Sequence, residues 1–313
     1  MANEITHALL QTNGGQVAAL LSDLILDQLY DPTDLRSVMR FIPFNGAGSD
    51  TLDVTLDAVP GPMTAATSET DGSNVTNSAY TTSKFQLVLS RYKDVYQITD
   101  LLGMSGGPVD LDRIVQKLMT GLALTMTDLV CALFPSLAND VGPGTGNDLT
   151  VDDIYAAQFQ LNGSNVPAST TNPYVAVLHN QQMNDFRTSL RGESGAIQFA
   201  AASEEMLATK GPGFQGTWNG IDFYQSDSVT TVAGGADRSG AMFGPGCFGY
   251  TLGDVRRIQG HIDPADIIAD AGGMMIVERD RDAGNGMTSA ISHAYPSVVE
   301  IEDARGVEIV SDA

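Results

Sequence analysis

The sequence predicts an α+β fold, and three observations carry that expectation. Residues 51–58 alternate strictly between apolar and polar, and residues 110–134 repeat apolar side chains at helical spacing. The stretch from Thr150 to Asp254 mixes helix and strand signals and is followed by β patterns toward the end of the 313 residues. A period of two marks a half-buried strand, and a period near 3.6 marks an amphipathic helix.

Residues 1–13 are polar and aperiodic. From Gln16 to Leu29, Val17, Leu20, Leu21, Leu24 and Ile25 oppose Gln16, Ser22, Asp23 and Asp27, which predicts a helix. Asp31-Pro32 ends it, because a residue before proline is pushed out of the helical region. In TLDVTLDA, Leu52, Val54, Leu56 and Ala58 share one strand face. From Ser83 to Asp100 the apolar phase runs on Phe85, Leu87 and Leu89, then shifts to Tyr92, Tyr96 and Ile98. That slip near Ser90-Arg91 predicts a bulge or bend. Pro60–Thr82, between the two strands, is polar, rich in Gly, Ser and Thr, and without period. So long a structureless connection is unusual inside a compact domain. The reading is a long two-stranded arm, marginal alone in water, whose tip rests on a neighbouring molecule.

Asp110 is placed to cap a helix whose stripe is Leu111, Ile114, Val115, Leu118, Leu122, Met126, Leu129, Val130 and Leu133, stopped by Pro135. NDVGPGTGN (139–147) is turn-rich and reads as a linker. Thr150 with Asp153 starts a helix through Leu161, with Ile154, Tyr155 and Phe159 apolar. YVAVLHN (174–180) is a short buried strand, 181–191 a second helix, and 203–209 a third, short one. Trp218-Asn219-Gly220-Ile221 signals a tight hairpin, and 241–254 is strand-like with glycine breaks. GMMIVERDRD, ISHAYPSVVEIED and VEIVS give three closing strands, in a sheet that the long helix could cover.

Composition narrows the function. The chain is 42% hydrophobic and 17% charged, so it can build a core and is not disordered as a whole. Sixteen Lys+Arg against 38 Asp+Glu give a net charge of -22, which repels phosphate and argues against a conventional nucleic-acid binder. The first basic residue is Arg36, and the apolar run 17–26 is broken by Ser22 and Asp23. Neither a signal peptide nor a membrane span is expected, and the chain reads as soluble. The sequons at Asn74 and Asn162 then read as chance matches.

Chemistry-bearing motifs are sparse. His7, His179, His261 and His293 are scattered, so no metal site is expected. DRDAGNG (280–286) resembles the start of a calcium loop, but the twelfth position is Ile291, and a turn between two strands is the better reading. GPGTG (142–146) lacks the Lys-Ser/Thr of a phosphate loop, and GESG (192–195) does not fit a nucleophile elbow. Cys131 and Cys247 read as inert packing thiols, and Trp218 as a plug beside its turn. No catalytic residue, cofactor or metal ligand is assigned, and the chain is not expected to be an enzyme.

The order of segments resembles the major capsid protein family of tailed bacteriophages, with its Hong Kong 97 fold, over nearly the whole chain. LYDPTDLRSVMRFIPFNGAGSDTLDV (29–54) is similar to the family's N-terminal arm running into its extended loop, and 60–82 to that loop's tip. VDLDRIVQKLMTGLALTMTDLVCALF resembles the spine helix. LTVDDIYAAQFQLNGSN, NPYVAVLHNQQMNDFRTSL and GTWNGIDFYQSDSV are similar to the axial domain, and the residues from Met274 onward to the returning strands of the peripheral domain. The resemblance implies an N-terminal arm at 1–50, an extended β-hairpin loop at 51–100, peripheral domain with spine helix at 101–146, axial domain at 147–271, and peripheral returning strands at 272–313. It implies a non-enzymatic subunit that self-assembles into the hexamers and pentamers of an icosahedral shell around double-stranded DNA, without sequence-specific binding and without a membrane.

Subunit contacts are expected at Pro60, Met63, Glu69, Asp71, Tyr80, Lys84, Arg91 and Lys93. Some relatives join subunits by a Lys–Asn isopeptide bond from this loop. Lys84 or Lys93 could serve by location, although no motif fixes the asparagine or the assisting acid. The family's scaffold-like N-terminal extension has no counterpart before the helix near Gln16, which implies a separate scaffolding protein. A portal and decoration proteins are the other expected partners, with a virion location and assembly in the host cytoplasm. The rival readings are another phage structural or decoration protein, commonly β-rich repeats, and an α/β enzyme. The sequence offers neither an internal repeat nor a nucleophile–base pair.

Overall fold

The computed structural model describes residues 4–5, 33–44, 49–57, 82–100, 111–144, 146–164, 166, 173–192, 199–255, 262–263, 266–270 and 274–312. The expected helix at 16–29, the loop tip at 60–81 and the capping Asp110 lie outside the described residues.

Four α-helices are assigned among them: α1 (Leu111–Cys131), α2 (Val151–Gly163), α3 (Asn180–Gly192) and α4 (Glu204–Lys210). The largest sheet runs in the order β6 (Asp140–Val141), β18 (Gly306–Asp312), β12 (Asp237–Phe243), β7 (Tyr174–Leu178), β10 (Ile221–Gln225), β9 (Phe214–Trp218) and β8 (Ala200–Ala201), with β11 (Thr230–Val232) also pairing with β12. A second sheet is ordered β1 (Glu4–Ile5), β5 (Val95–Thr99), β16 (Met287–Ala294), β15 (Met275–Asp282) and β14 (Ile267–Asp270). A third joins β17 (Pro296–Glu300), β13 (Phe248–Leu252) and β2 (Arg40–Phe41), and a separate pair joins β3 (Thr51–Asp57) to β4 (Thr82–Val88).

The central strand of the largest sheet, YVAVL, is buried at all five positions because both faces are covered. Tyr174, Ala176 and Leu178 face a core with Ile154, Ala157 and Leu161 of α2 and Met183, Phe186 and Leu190 of α3. Val175 and Val177 face a second core with Leu118, Leu122, Met126 and Val130 of α1. That core also takes in Met275, Val277, Ala290 and Ala294 of the five-stranded sheet, so α1 bridges the two sheets. The stretch Ile114–Ser136 is long and apolar enough to cross a membrane by composition. Its four-residue stripe is instead spent on the two sheets.

Helix ends follow local chemistry. At the start of α2, Thr150 accepts from the Asp153 backbone N–H and Asp153 accepts from that of Thr150, the expected reciprocal box. The α1 helix stops at Cys131, short of the expected 134, and a 3₁₀ turn (Phe134–Ser136) continues the path. Pro135 has no N–H for the Cys131 carbonyl, and Thr230 Oγ1 donates to it instead at 2.9 Å. At the β9–β10 turn, Asn219 and Gly220 have φ of 50° and 77°, the left-handed pair that a tight two-residue hairpin requires.

Several sequence readings are refined. The phase slip near Ser90 is a complete strand break: β4 pairs with β3, whereas β5 joins the five-stranded sheet. The expected linker 139–147 includes an edge strand, β6, parallel to β18. ISHAYPSVVEIED is two strands, since Pro296 begins β17 after Tyr295 and the chain changes sheet there. The closing β patterns therefore give four strands after residue 274, and the last, β18, lies beside β12 in the largest sheet rather than with the five-stranded one. On α2 the buried stripe is Val151, Ile154, Ala157 and Leu161. Of the other two residues read as apolar, Phe159 points outward at 79% exposure, whereas Tyr155, 44% exposed, lays its ring against the buried Trp218 with centroids 5.0 Å apart.

Candidate assembly surface

The β3–β4 hairpin is the least supported element. Seven cross-strand pairs run from Thr51↔Val88 to Asp57↔Thr82, about 23 Å of ladder at 3.3 Å per residue. Leu52 faces Leu87 and Val54 faces Phe85 on one side; Asp53 faces Gln86 and Thr55 faces Lys84 on the other. The apolar side is fully buried only at Leu87, near β17, and is half-buried at Val54 and Phe85. The polar side is open to solvent, with one cross-strand bond from Gln86 Nε2 to Asp53 Oδ1 at 3.0 Å. A two-stranded ribbon this thinly covered gains little stability from its own chain.

The chain then crosses from the hairpin to the sheet through residues 89–94. Tyr92 and Ala294 exchange backbone hydrogen bonds of 2.8 and 3.0 Å, and Ser292 N–H donates to Asp94 O at 2.9 Å. Beside this stitching, Arg91 Nη2 lies 2.9 Å from His293 Nδ1, and His293 Nε2 lies 3.0 Å from Glu278 Oε2. The ring is 5% exposed.

Of the expected contact residues, Pro60, Met63, Glu69, Asp71 and Tyr80 lie outside the described residues. Lys84, Arg91 and Lys93 are exposed at the root and flank of the hairpin. Arg91 is engaged by His293. Lys84 has no hydrogen-bond or ionic partner among the described residues. Sequence reasoning missed Phe41 (53% exposed), Tyr155 and Phe159 as surface aromatics. For the α2 pair, the offset of Tyr155 and Phe159 from the Ile154–Leu161 register was the available signal.

A second polar group lies at the edge of the largest sheet. Lys210 Nζ contacts Asp222 Oδ2, Thr217 Oγ1 donates to Asp222 Oδ1 at 3.0 Å, and the ammonium lies 5.0 Å from the Phe214 ring centroid. Lys210 and Asp222 border a cavity of about 250 Å³ that also takes in Tyr224, whose hydroxyl burial pushes up to about 12. Both thiols, Cys131 and Cys247, are fully buried, and burial raises each far from the reactive thiolate range. Burial holds the His179 imidazole below its ordinary value. Among the described residues no group of three or more His, Cys, Asp or Glu is placed to hold a metal ion. The DRDAGNG segment forms the β15–β16 turn, where Asp282 accepts from the backbone of Gly284 and Asn285 at 3.0 and 3.1 Å.

No protein-family model matches the chain, and no curated protein matches it. Solved structures do, over nearly the full length in both directions. A structure from Mycobacterium phage Che8 is similar at 15% identity, with 95% of this chain and 97% of that chain covered and a TM-score of 0.61. A capsid structure of cyanophage P-SCSP1u matches at 12% identity, 100% coverage of both chains and a TM-score of 0.60. The capsid of Ralstonia phage GP4 matches at 11% identity, 92% and 93% coverage and a TM-score of 0.66. The mixed helix-and-sheet fold described above is therefore the fold of phage capsid structures.

Proposed function

We propose that this chain is the major capsid protein of a tailed double-stranded DNA bacteriophage, a Hong Kong 97-type subunit of an icosahedral shell. The observation that carries the reading is end-to-end agreement of fold with phage structures, two of them capsids, over 92–100% of this chain for the three described. The neighbours are structural proteins, consistent with a non-enzyme.

In this reading α1 is the spine helix, and it forms the peripheral domain with the five-stranded and three-stranded sheets. The largest sheet, with α2 and α3, is the axial domain, closed by β18 from the C-terminal segment. The β3–β4 hairpin is the stem of the extended loop. A thinly covered, two-stranded stem suits an element that a neighbouring subunit completes, and closed rings of such heterologous contacts build hexamers and pentamers. A net charge of -22 keeps the inner wall from gripping packaged DNA. A separate scaffolding protein, a portal and decoration proteins are the expected partners, in a virion assembled in the host cytoplasm.

Negative-stain microscopy of the purified chain, alone and co-expressed with a scaffolding protein, tests this. Rings, tubes or closed shells are expected. A monodisperse monomer under both conditions would overturn it, and binding only to preformed particles would favour a decoration protein.

A further inference from the structure

The hairpin leaves the body beside a charged relay that its stability does not explain. Arg91 sits in the connection between β4 and β5, His293 in the middle of the five-stranded sheet, and Glu278 on the neighbouring strand. A guanidinium carries only donors, so His293 Nδ1 accepts from Arg91. The imidazole is then neutral, and its Nε2–H donates to the Glu278 carboxylate.

We propose that Arg91, His293 and Glu278 form a proton-sensitive latch that fixes the root of the β3–β4 hairpin against the five-stranded sheet. A second proton can enter the ring only at Nδ1. The new N–H points at the guanidinium, so a donor faces a donor and a cation faces a cation. The bond to Arg91 is lost, while the ion pair with Glu278 tightens and keeps the imidazolium in place. Protonation thus loosens the connection 89–94, which keeps only its backbone stitching to Ser292 and Ala294, without disturbing the β15–β16 ladder. The other charged groups near the ring do not substitute for Arg91. Lys93 and Asp94 flank it on the same connection, Asp94 through backbone bonds to Ser292, and Asp280 lies two residues beyond Glu278 on β15. Among the described residues, no other acid or base bonds the ring.

Three forms of the full chain separate the cases: the wild type, His293→Gln, which can accept and donate but not charge, and Arg91→Ala. Backbone hydrogen exchange, corrected for intrinsic pH dependence, is read at pH 7.5 and 5.0. In the wild type, protection of residues 89–95 falls about tenfold at pH 5.0, the scale of one charge-assisted bond, while β15 is unchanged. Arg91→Ala lacks that protection at both pH values, and His293→Gln keeps it at both. Equal protection of the wild type at both pH values, or the same acid loss in His293→Gln, overturns the latch. Nitrogen NMR of the ring is an independent check that needs no variant: a neutral Nδ1–H tautomer at pH 7.5 also overturns it.

Discussion

Replacing Leu87 by alanine probes how separable the hairpin is from the body. Leu87 is fully buried, yet it belongs to neither of the two large cores. Leucine-to-alanine changes at buried sites cost about 2–5 kcal/mol, with the lower figure where neighbours can collapse. Here Val88 beside it is 45% exposed and Phe85 is half-buried, so collapse is easy and about 2 kcal/mol is expected. Because 1.4 kcal/mol is a factor of ten, that loss raises hairpin opening roughly 30-fold. The effect is local, since the cores around β7 keep every contact. Hydrogen exchange of a peptide spanning 82–88 should accelerate by that factor, while one spanning 174–178 stays unchanged and the melting temperature drops by no more than a few degrees. Shell yield should fall far more than stability does. Equal loss of protection in both peptides would show that the hairpin and the body unfold as one unit and would refute the argument.

Glu308→Gln tests the buried carboxylate beside Ser239. Burial, opposed by the Ser239 hydrogen bond and reinforced by Asp140, raises its folded pKa above the ordinary glutamate value. Its contribution is therefore full below the unfolded value and is lost as pH rises through the folded one. The glutamine variant should melt higher than the wild type at pH 7.5, and that advantage should vanish near pH 4. Two glycines should respond differently to alanine. At Gly220 a Cβ meets nothing within 4 Å, so only the φ of +77° resists, at about 1 kcal/mol. At Gly240 it would meet Gln182 Oε1 at 2.8 Å and Val177 O at 2.9 Å, so a larger fall in melting temperature is expected; equal falls would contradict the packing argument. Phe159→Ser should leave the melting temperature within about a degree, as exposed positions do, and reduce shell yield; full yield would place Phe159 on a free surface.

Legibility in the sequence tracked locality. The Thr150–Asp153 box, the Trp218–Ile221 turn and the middle of the α1 stripe, Leu118 to Val130, are each decided within a few residues, and the box, the turn and Leu118, Leu122, Met126 and Val130 stand where the pattern placed them. The sheet assignments were not so decided. A slip of phase at Ser90 announces a discontinuity, but whether it is a bulge or a change of partner depends on β16, some 200 residues away. Pro296 and β18 pose the same difficulty, because strand partners at long separation leave no mark on either strand. The outward turn of Phe159 was misread because Tyr155 and Phe159 satisfy an i, i+4 pattern of their own. The Arg91–His293–Glu278 relay had no signal in the sequence, since its members are brought together only by the ladder register.

The place of β18 imposes an order of events on synthesis. Strand β12 has β7 on one side and, over its whole length from Asp237 to Phe243, β18 on the other. Until residues 306–312 leave the ribosome, that edge of β12 is unpaired, although α2, α3 and β7–β10 are already made. An open central edge invites pairing with another nascent chain. Closing it needs residues made after β7 to β17, so the sheet is finished only once those elements exist. Folding dominated by such distant pairings is slow, so the pairing of β18 with β12 is expected among the late steps of folding.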